Sequence, residues 1–144
     1  MDAEAMAMKL LRLMEALPRR APQNWLGEFS RGELFLLNYL YANGGTAWPT
    51  ILSDAMQTST ARIAAALNSL ERKGWIRREP DLGDHRRKVV HLTEEGSKYI
   101  EGCRSKVLRN VTKLLTELGD EDASEYLRIT QRMEAISRTF EFEL

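Results

Sequence analysis

Apolar residues recur along most of the chain at the three- and four-residue spacings that put side chains on one face of a helix. Met6, Leu10, Leu13 and Leu17, with Met14 beside them, predict an amphipathic helix over Met1 to Leu17, ended by Pro18. Arg19 to Glu28 holds Pro22 and Gly27 and little periodicity, and reads as a loop with Trp25 and Leu26 tucked onto apolar surface. Ser30 and Glu33 have the spacing of a capping box, and Phe29 and Leu34 that of a hydrophobic staple, so a helix is expected from about Arg31 to Ala42. Leu34, Leu37 and Tyr41 share one face of it, Leu36 and Leu40 widen that face, and Asn43-Gly44-Gly45 ends it. Thr46 reads as the N-cap of a short helix to about Ala55, with Pro49 tolerated in its first turn and Ile51, Leu52 and Ala55 turned inward.

Met56-Gln57-Thr58 is then a turn, and Ser59 caps a helix over Thr60 to Lys73 that Gly74 stops. Ile63, Ala66, Leu67 and Leu70 form its inner face; Ala61, Arg62, Ala65, Ser69 and Arg72 form the outer one. Small residues beside an arginine let a helix approach another surface closely, and a DNA major groove is wide enough to admit it. Trp75–Glu79 and Lys88–Leu92 are short and rich in β-formers around a turn containing Pro80, Asp81, Gly83 and Asp84, which predicts a hairpin with an exposed basic tip. Thr93 caps a long helix to Leu118, striped by Ile100, Cys103, Val107, Val111, Leu114 and Leu118. Gly119 and Asp120 break it, and Tyr126, Ile129, Met133, Ile136 and Phe140 stripe a last helix.

The expected fold is mainly α (α+β): a winged helix-turn-helix over 29–92, flanked by an N-terminal helix and loop over 1–28 and two C-terminal helices over 93–144. The flanking stripes are too long for a compact three-helix unit to cover. A second copy of the chain is the economical partner, through Met6, Leu10, Leu13, Leu17, Val111, Leu114, Leu118, Met133, Ile136 and Phe140.

Composition adds limits. With 144 residues, 43% hydrophobic and 29% charged, the chain can bury a real core and form one domain with helical extensions. No apolar run is long enough to span a membrane, and no basic-then-apolar leader is visible, so a cytoplasmic protein is expected. One cysteine, Cys103, and two histidines, His85 and His91, give neither a disulfide framework nor a zinc site. Cys103 lies on an apolar stripe and reads as a small core residue, with a thiol sensor as its functional alternative. No Gly-rich phosphate loop, H-E-x-x-H or nucleophile with a base is present, so neither an enzyme nor a cofactor is expected.

Charge changes the picture more. The chain is neutral overall, yet residues 58–92 hold eight Lys/Arg against four Asp/Glu, while 1–57 carry a net −1 and 93–144 a net −3. A positive segment within a neutral chain is what phosphate binding requires.

The order of parts, and above all L-E-R-K-G-W-I-R-R-E-P-D-L-G-D-H-R-R-K-V-V-H-L-T-E-E-G from Leu70 to Gly96, resembles the multiple-antibiotic-resistance regulator (MarR-type) family of bacterial transcription factors. The family's D-x-R wing motif falls on Asp84 and Arg86, and its L-T-x-x-G on Leu92, Thr93 and Gly96. The resemblance implies a homodimeric regulator of transcription, a ligand- or stress-responsive repressor, on pseudo-palindromic double-stranded DNA. It implies Thr60 to Lys73 as recognition helix, using Ser59, Thr60, Ala61, Arg62, Ala65, Ser69 and Arg72. It also implies Arg86 in the minor groove, held by a bidentate pair with Asp84, with His85 beside it and Arg87 and Lys88 on phosphates. Outward positions often filled by a hydroxyl residue and an arginine in the family hold Arg62, Ala64 and Ala65 here, leaving Arg62 as the one strong base-reading side chain. A small-molecule effector pocket is implied between the winged unit and the trailing helices, near Trp25, Tyr39 or Trp48; those aromatics read equally as core. The alternative function is a winged-helix protein-interaction module without DNA binding, which the zero net charge favours and the basic wing opposes.

Overall fold

The computed structural model describes residues 1–19, 21, 27, 29 and 31–140, which leaves Trp25, Leu26 and Ser30 outside the described residues. The elements are α1 (Ala3–Ala16), α2 (Gly32–Ala42), β1 (Thr46–Ala47), α3 (Pro49–Met56), α4 (Thr60–Arg72), β2 (Ile76–Pro80), β3 (Lys88–Leu92) and α5 (Glu94–Ser137). They fall into two compact units, Met1–Lys106 and Val107–Leu144.

The first unit contains a winged helix built on ten buried apolar side chains: Leu36, Leu37 and Leu40 of α2, Leu52 of α3, Ile63, Leu67 and Leu70 of α4, Ile76 of β2, Val90 of β3 and Ile100 of α5. Cys103 is half-buried and packs against this cluster, as the core reading expected. Ile51 and Ala55 do not turn inward with Leu52; both are exposed, because an eight-residue helix offers the core one narrow stripe.

Local chemistry sets the element ends. Asp2 caps α1 through a 3.0 Å bond from the Ala5 amide, and Leu17 is extended, as a residue before proline must be. The expected capping box involves Ser30 and so lies outside the described residues; Glu33 accepts from the Lys73 ammonium and so ties the start of α2 to the end of α4. Gly44 and Gly45 both take positive φ, and the Gly45 amide returns to the Leu40 carbonyl at 2.7 Å.

Those two glycines deliver Thr46 and Ala47 alongside β3, where they pair antiparallel with His91 and Val90 in a sheet of order β1-β3-β2. Thr46 is therefore a strand residue and not a helix cap. Helix α3 begins at Pro49 after Trp48, with no side-chain cap, because backbone pairing with β3 has already fixed the approach. Gln57, left-handed at φ 52°, makes the turn into α4, and the Ser53 hydroxyl donates to the Thr58 carbonyl at 2.7 Å to brace it.

Ser59 caps α4 as expected, accepting from the Arg62 amide at 3.3 Å, and Gly74 ends the helix at φ 76°. The hairpin runs one residue later than expected at its first strand, pairing Ile76 with Leu92 through to Pro80 with Lys88.

The hairpin then meets α5 at very short range. The Thr93 hydroxyl donates to the Gly74 carbonyl at 2.6 Å and accepts from the Gly96 amide at 3.0 Å, while the Thr93 amide donates to the Trp75 carbonyl at 3.0 Å. A Cβ on Gly96 would stand 2.0 Å from that same carbonyl oxygen. The Trp75 and Tyr99 rings stack beside it with centroids 3.8 Å apart.

Arg78 of β2 ties the wing to α4. Its guanidinium donates to Glu71 at 3.2 and 3.0 Å and to the Asn68 side-chain oxygen at 2.7 Å. That hydrogen bond from Arg78 holds the Glu71 carboxyl below its ordinary value of 4.5.

In α1, Met6, Leu10 and Leu13 are exposed and Leu17 is half-buried. Within the second unit, Gly119 breaks helical geometry at φ 82°, ψ 165°, where the break was expected. Val111 and Leu114 are half-buried there, while Leu118, Met133, Ile136 and Phe140 are exposed.

Gly96→Ala is expected to lower stability by about 2 kcal/mol, since backbone and not a mobile side-chain end must yield. Gly102→Ala, where an added Cβ meets nothing within 4 Å, is expected to be neutral or to add up to about 1 kcal/mol. Urea unfolding compares them; equal midpoints would remove the close approach from the stability of the fold.

A second expectation concerns acid. Because the Glu71 carboxyl titrates lower folded than unfolded, its pair with Arg78 contributes above the ordinary carboxylate range and is lost as pH falls through the folded pKa. Solvent screens this half-exposed carboxylate, so Glu71→Gln is expected to cost only about 0.5 kcal/mol at neutral pH. Variant and wild-type unfolding curves should then merge well below pH 4.5, and a constant gap at every pH would contradict the assignment.

Candidate nucleic-acid interface

Helix α4 presents Thr60, Ala61, Arg62, Ala64 and Ala65 as exposed residues on the side away from Ile63, Leu67 and Leu70. The Ser59 hydroxyl is occupied by its cap. Ser69 departs from the outward face expected of it: it is half-buried, and its hydroxyl supports the Glu33 carboxylate. The reason is helical spacing, since Ala66, Ser69 and Lys73 fall three and four residues apart on the stripe that faces α2. Burial pushes the Glu33 carboxyl up, and hydrogen bonds from Lys73 and Ser69 more than reverse this, leaving it below its ordinary value. Arg72 is exposed at the end of α4.

The loop joining β2 and β3 is tightly built. The Asp81 carboxylate accepts from the Gly83 amide at 3.2 Å and the Asp84 carboxylate from the Arg86 amide at 3.0 Å, two side-chain turns that replace missing backbone partners. Backbone bonds from Asp81 to Arg87 and from Arg87 to Asp84 close the loop at 2.9 and 3.0 Å. His85, Arg86, Arg87 and Lys88 are all exposed.

The expected bidentate pair of Asp84 with the Arg86 guanidinium is absent among the described residues. Asp84 turns one oxygen to the Arg86 backbone and the other toward Arg87, whose Nε lies 3.9 Å away. The Asx turn takes the carboxylate first, because it satisfies a backbone donor that would otherwise be left over at the tip. Arg87 also lies 3.5 Å from Asp81 and stacks over the Trp48 ring at 4.7 Å.

Pairing thus sorts the eight cations of residues 58–92. Lys73, Arg77, Arg78 and Arg87 sit against carboxylates, on Glu33, Glu79, Glu71, and Asp81 with Asp84 respectively. Among the described residues, Arg62, Arg72, Arg86 and Lys88 form no ion pair within 4 Å, although Arg72 acts at longer range on Glu33 and Lys88 on Glu71, and all four stand on α4 and the wing. Arg78, Asn68 and Glu71, which fix those two elements to each other, were not singled out from the sequence. Arg78 falls in the run R-R-E-P, where nothing distinguishes a clamp from a solvated charge.

A cavity of about 370 Å³ lies within the winged unit, lined among others by Tyr39, Asn43, Trp48, Ile51 and Val89. Tyr39 packs against the core, but Trp48 is 39% exposed, so the core reading does not hold for it. Its place between a paired strand residue and Pro49 keeps it at the surface. No group of three or more potential metal ligands occurs among the described residues, and no helix among them is long and apolar enough to cross a membrane.

The chain is similar to known proteins in sequence and in fold. The transcriptional regulator PecS of Dickeya dadantii is 27% identical over 86 residues, which is 60% of this chain and 52% of that protein. The chain spans about a third to a half of the length of the curated relatives it matches. Among solved structures, the YusO protein from Bacillus subtilis has the same fold, with a TM-score of 0.71 at 20% identity over 94% of this chain and 99% of that one. A mutant of MepR from Staphylococcus aureus, bound to an oligodeoxyribonucleotide, is similar with a TM-score of 0.60 at 25% identity over 90% and 96%. A model of the MarR family matches residues 29–87, the winged-helix segment of the chain.

Proposed function

We propose that the chain is a sequence-specific DNA-binding regulator of transcription that acts as a homodimer on a pseudo-palindromic operator. The observation that carries this reading is the sorting of charge. In a neutral protein, the segment 58–92 carries the net positive charge, and the four of its cations that form no ion pair within 4 Å, Arg62, Arg72, Arg86 and Lys88, stand on α4 and the wing. Helix α4 enters the major groove with Arg62 reading a base edge, Ser59, Thr60, Ala61 and Ala65 allow close approach, and Arg72 faces phosphate. Arg86 enters the neighbouring minor groove, with His85 and Lys88 at its rim. The likeness to a MepR mutant bound to an oligodeoxyribonucleotide supports the same docking.

The regulator acts as a repressor, and a small-molecule effector occupies the cavity beside Tyr39 and Trp48. The exposed apolar stripes of α1 and of the second unit supply the dimer contact.

Duplexes selected from a random pool are expected to bind with an affinity that falls by about 0.9 log unit per log unit of salt for each phosphate neutralised, so by at most about 3.6 for each chain when Arg62, Arg72, Arg86 and Lys88 all displace counterions. Arg62→Ala and Arg86→Ala are each expected to weaken binding at least about tenfold without changing the oligomeric state. Fluorescence anisotropy at several salt concentrations measures both. Absence of any salt-sensitive duplex binding would sink the reading, and retention of a protein partner in its place would favour an interaction module.

A further inference from the structure

The four paired cations are not equivalent. Lys73 joins α4 to α2, Arg78 joins the strand β2 to α4 and Arg77 pairs along its own strand, whereas Arg87 joins the loop at the tip of the wing to the start of α3. We propose that Arg87 is a positioning residue, a clasp that seats the wing against Trp48 so that Arg86 is presented in one arrangement, and that it contacts no phosphate itself. The proposal rests on the DNA-binding reading for the purpose of the clasp, and on the geometry alone for its existence.

Three observations converge on the Arg87 guanidinium. It lies over the Trp48 ring at 4.7 Å, 3.5 Å from an Asp81 oxygen and 3.9 Å from an Asp84 oxygen. A planar guanidinium offers a face to the ring and an edge to the carboxylates at the same time, which a lysine ammonium does not. Both aspartates are the residues whose other oxygens or backbone build the loop. Arg87 therefore neutralises the charge that the loop's own construction requires, charge that would otherwise stand beside DNA phosphates.

Trp48 is in turn held from both sides. Thr46 and Ala47 pair with β3 before it, and Pro49 opens α3 after it. Trp48 makes no side-chain capping bond to the helix it precedes, and the residue is 39% exposed, so a place in the core does not explain it. Seating the wing in advance removes ordering that would otherwise be required when DNA binds.

The experiment combines two readouts on the full chain with Trp48→Leu, Trp48→Phe, Arg87→Lys and the double variant Trp48→Leu with Arg87→Lys. In the free protein, amide exchange of residues 81–88 is expected to quicken about two- to fivefold in Trp48→Leu and Arg87→Lys, the scale of an exposed cation–π contact, and to stay near wild type in Trp48→Phe. On a selected duplex, the same two variants should lose about two- to fivefold in affinity with an unchanged salt slope, and the double variant should lose no more than the worse single one.

Unchanged exchange in Trp48→Leu would overturn the clasp, whatever the protein binds. Wild-type duplex affinity in Arg87→Lys, or a loss in Trp48→Leu that Trp48→Phe does not restore, would overturn its role in presenting Arg86. If the wild type binds no duplex, the DNA-binding reading falls by itself and the exchange measurement still decides the clasp.

Discussion

The winged unit depends on one junction, where the Trp75 carbonyl, the Gly74 carbonyl, the Thr93 hydroxyl and the Gly96 backbone meet within hydrogen-bonding or closer range. At this place the end of α4, the first strand of the hairpin and the start of α5 are fastened together. No side chain fits between Gly96 and Trp75, so the helix can approach the strand only with glycine at that position. The approach in turn brings Tyr99 onto the Trp75 ring and Ile100 into the core. Without it the hairpin would be a two-stranded ribbon with a two-residue third strand, which is marginal in water.

Given that frame, electrostatics decides what the surface can do. Eight cations in 35 residues would repel one another if all were free, and half are instead used as fasteners. Each fastener is weak, since its partners are partly solvated. Their value lies in geometry: Arg78 sets the wing against α4, and Lys73 sets α4 against α2, so the cations that remain are held at fixed separations. A net charge of +4 over the segment counts neither which arginines are available nor where they point.

Most of the fold was legible because helical burial is periodic. The stripes at Leu36, Leu37 and Leu40 and at Ile63, Leu67 and Leu70 became the core, Ser59 capped α4, and the hairpin and the Gly119 break fell within a residue of expectation. What stayed hidden depends on partners distant in sequence. Thr46 and Ala47 carry no strand signature, and only β3, some 45 residues on, makes them a strand. Asp84 and Arg86 stand at a spacing that suits both an Asx turn and an ion pair, and the turn prevailed because an exposed guanidinium loses little by remaining in water while a backbone amide at a closed tip needs an acceptor. Ser69 was placed outward by counting from the strongest apolar positions, which defines the buried stripe but not how far around the helix α2 reaches.

The same reasoning bears on the helices outside the winged core. Helix α1 has fourteen residues and no buried side chain, although Met6, Leu10 and Leu13 form a continuous apolar stripe. A helix of that length is marginal by itself in water, and side-chain packing rather than propensity gives short helices their stability. Its sequence nonetheless specifies a well-capped helix, with Asp2 at one end and Pro18 at the other. That stripe is exposed among the described residues, and the homodimer proposed above would give it a surface to pack against. Self-association through these stripes would place two copies of the positive segment in one assembly, so that the modest charge of each acts twice on the same duplex.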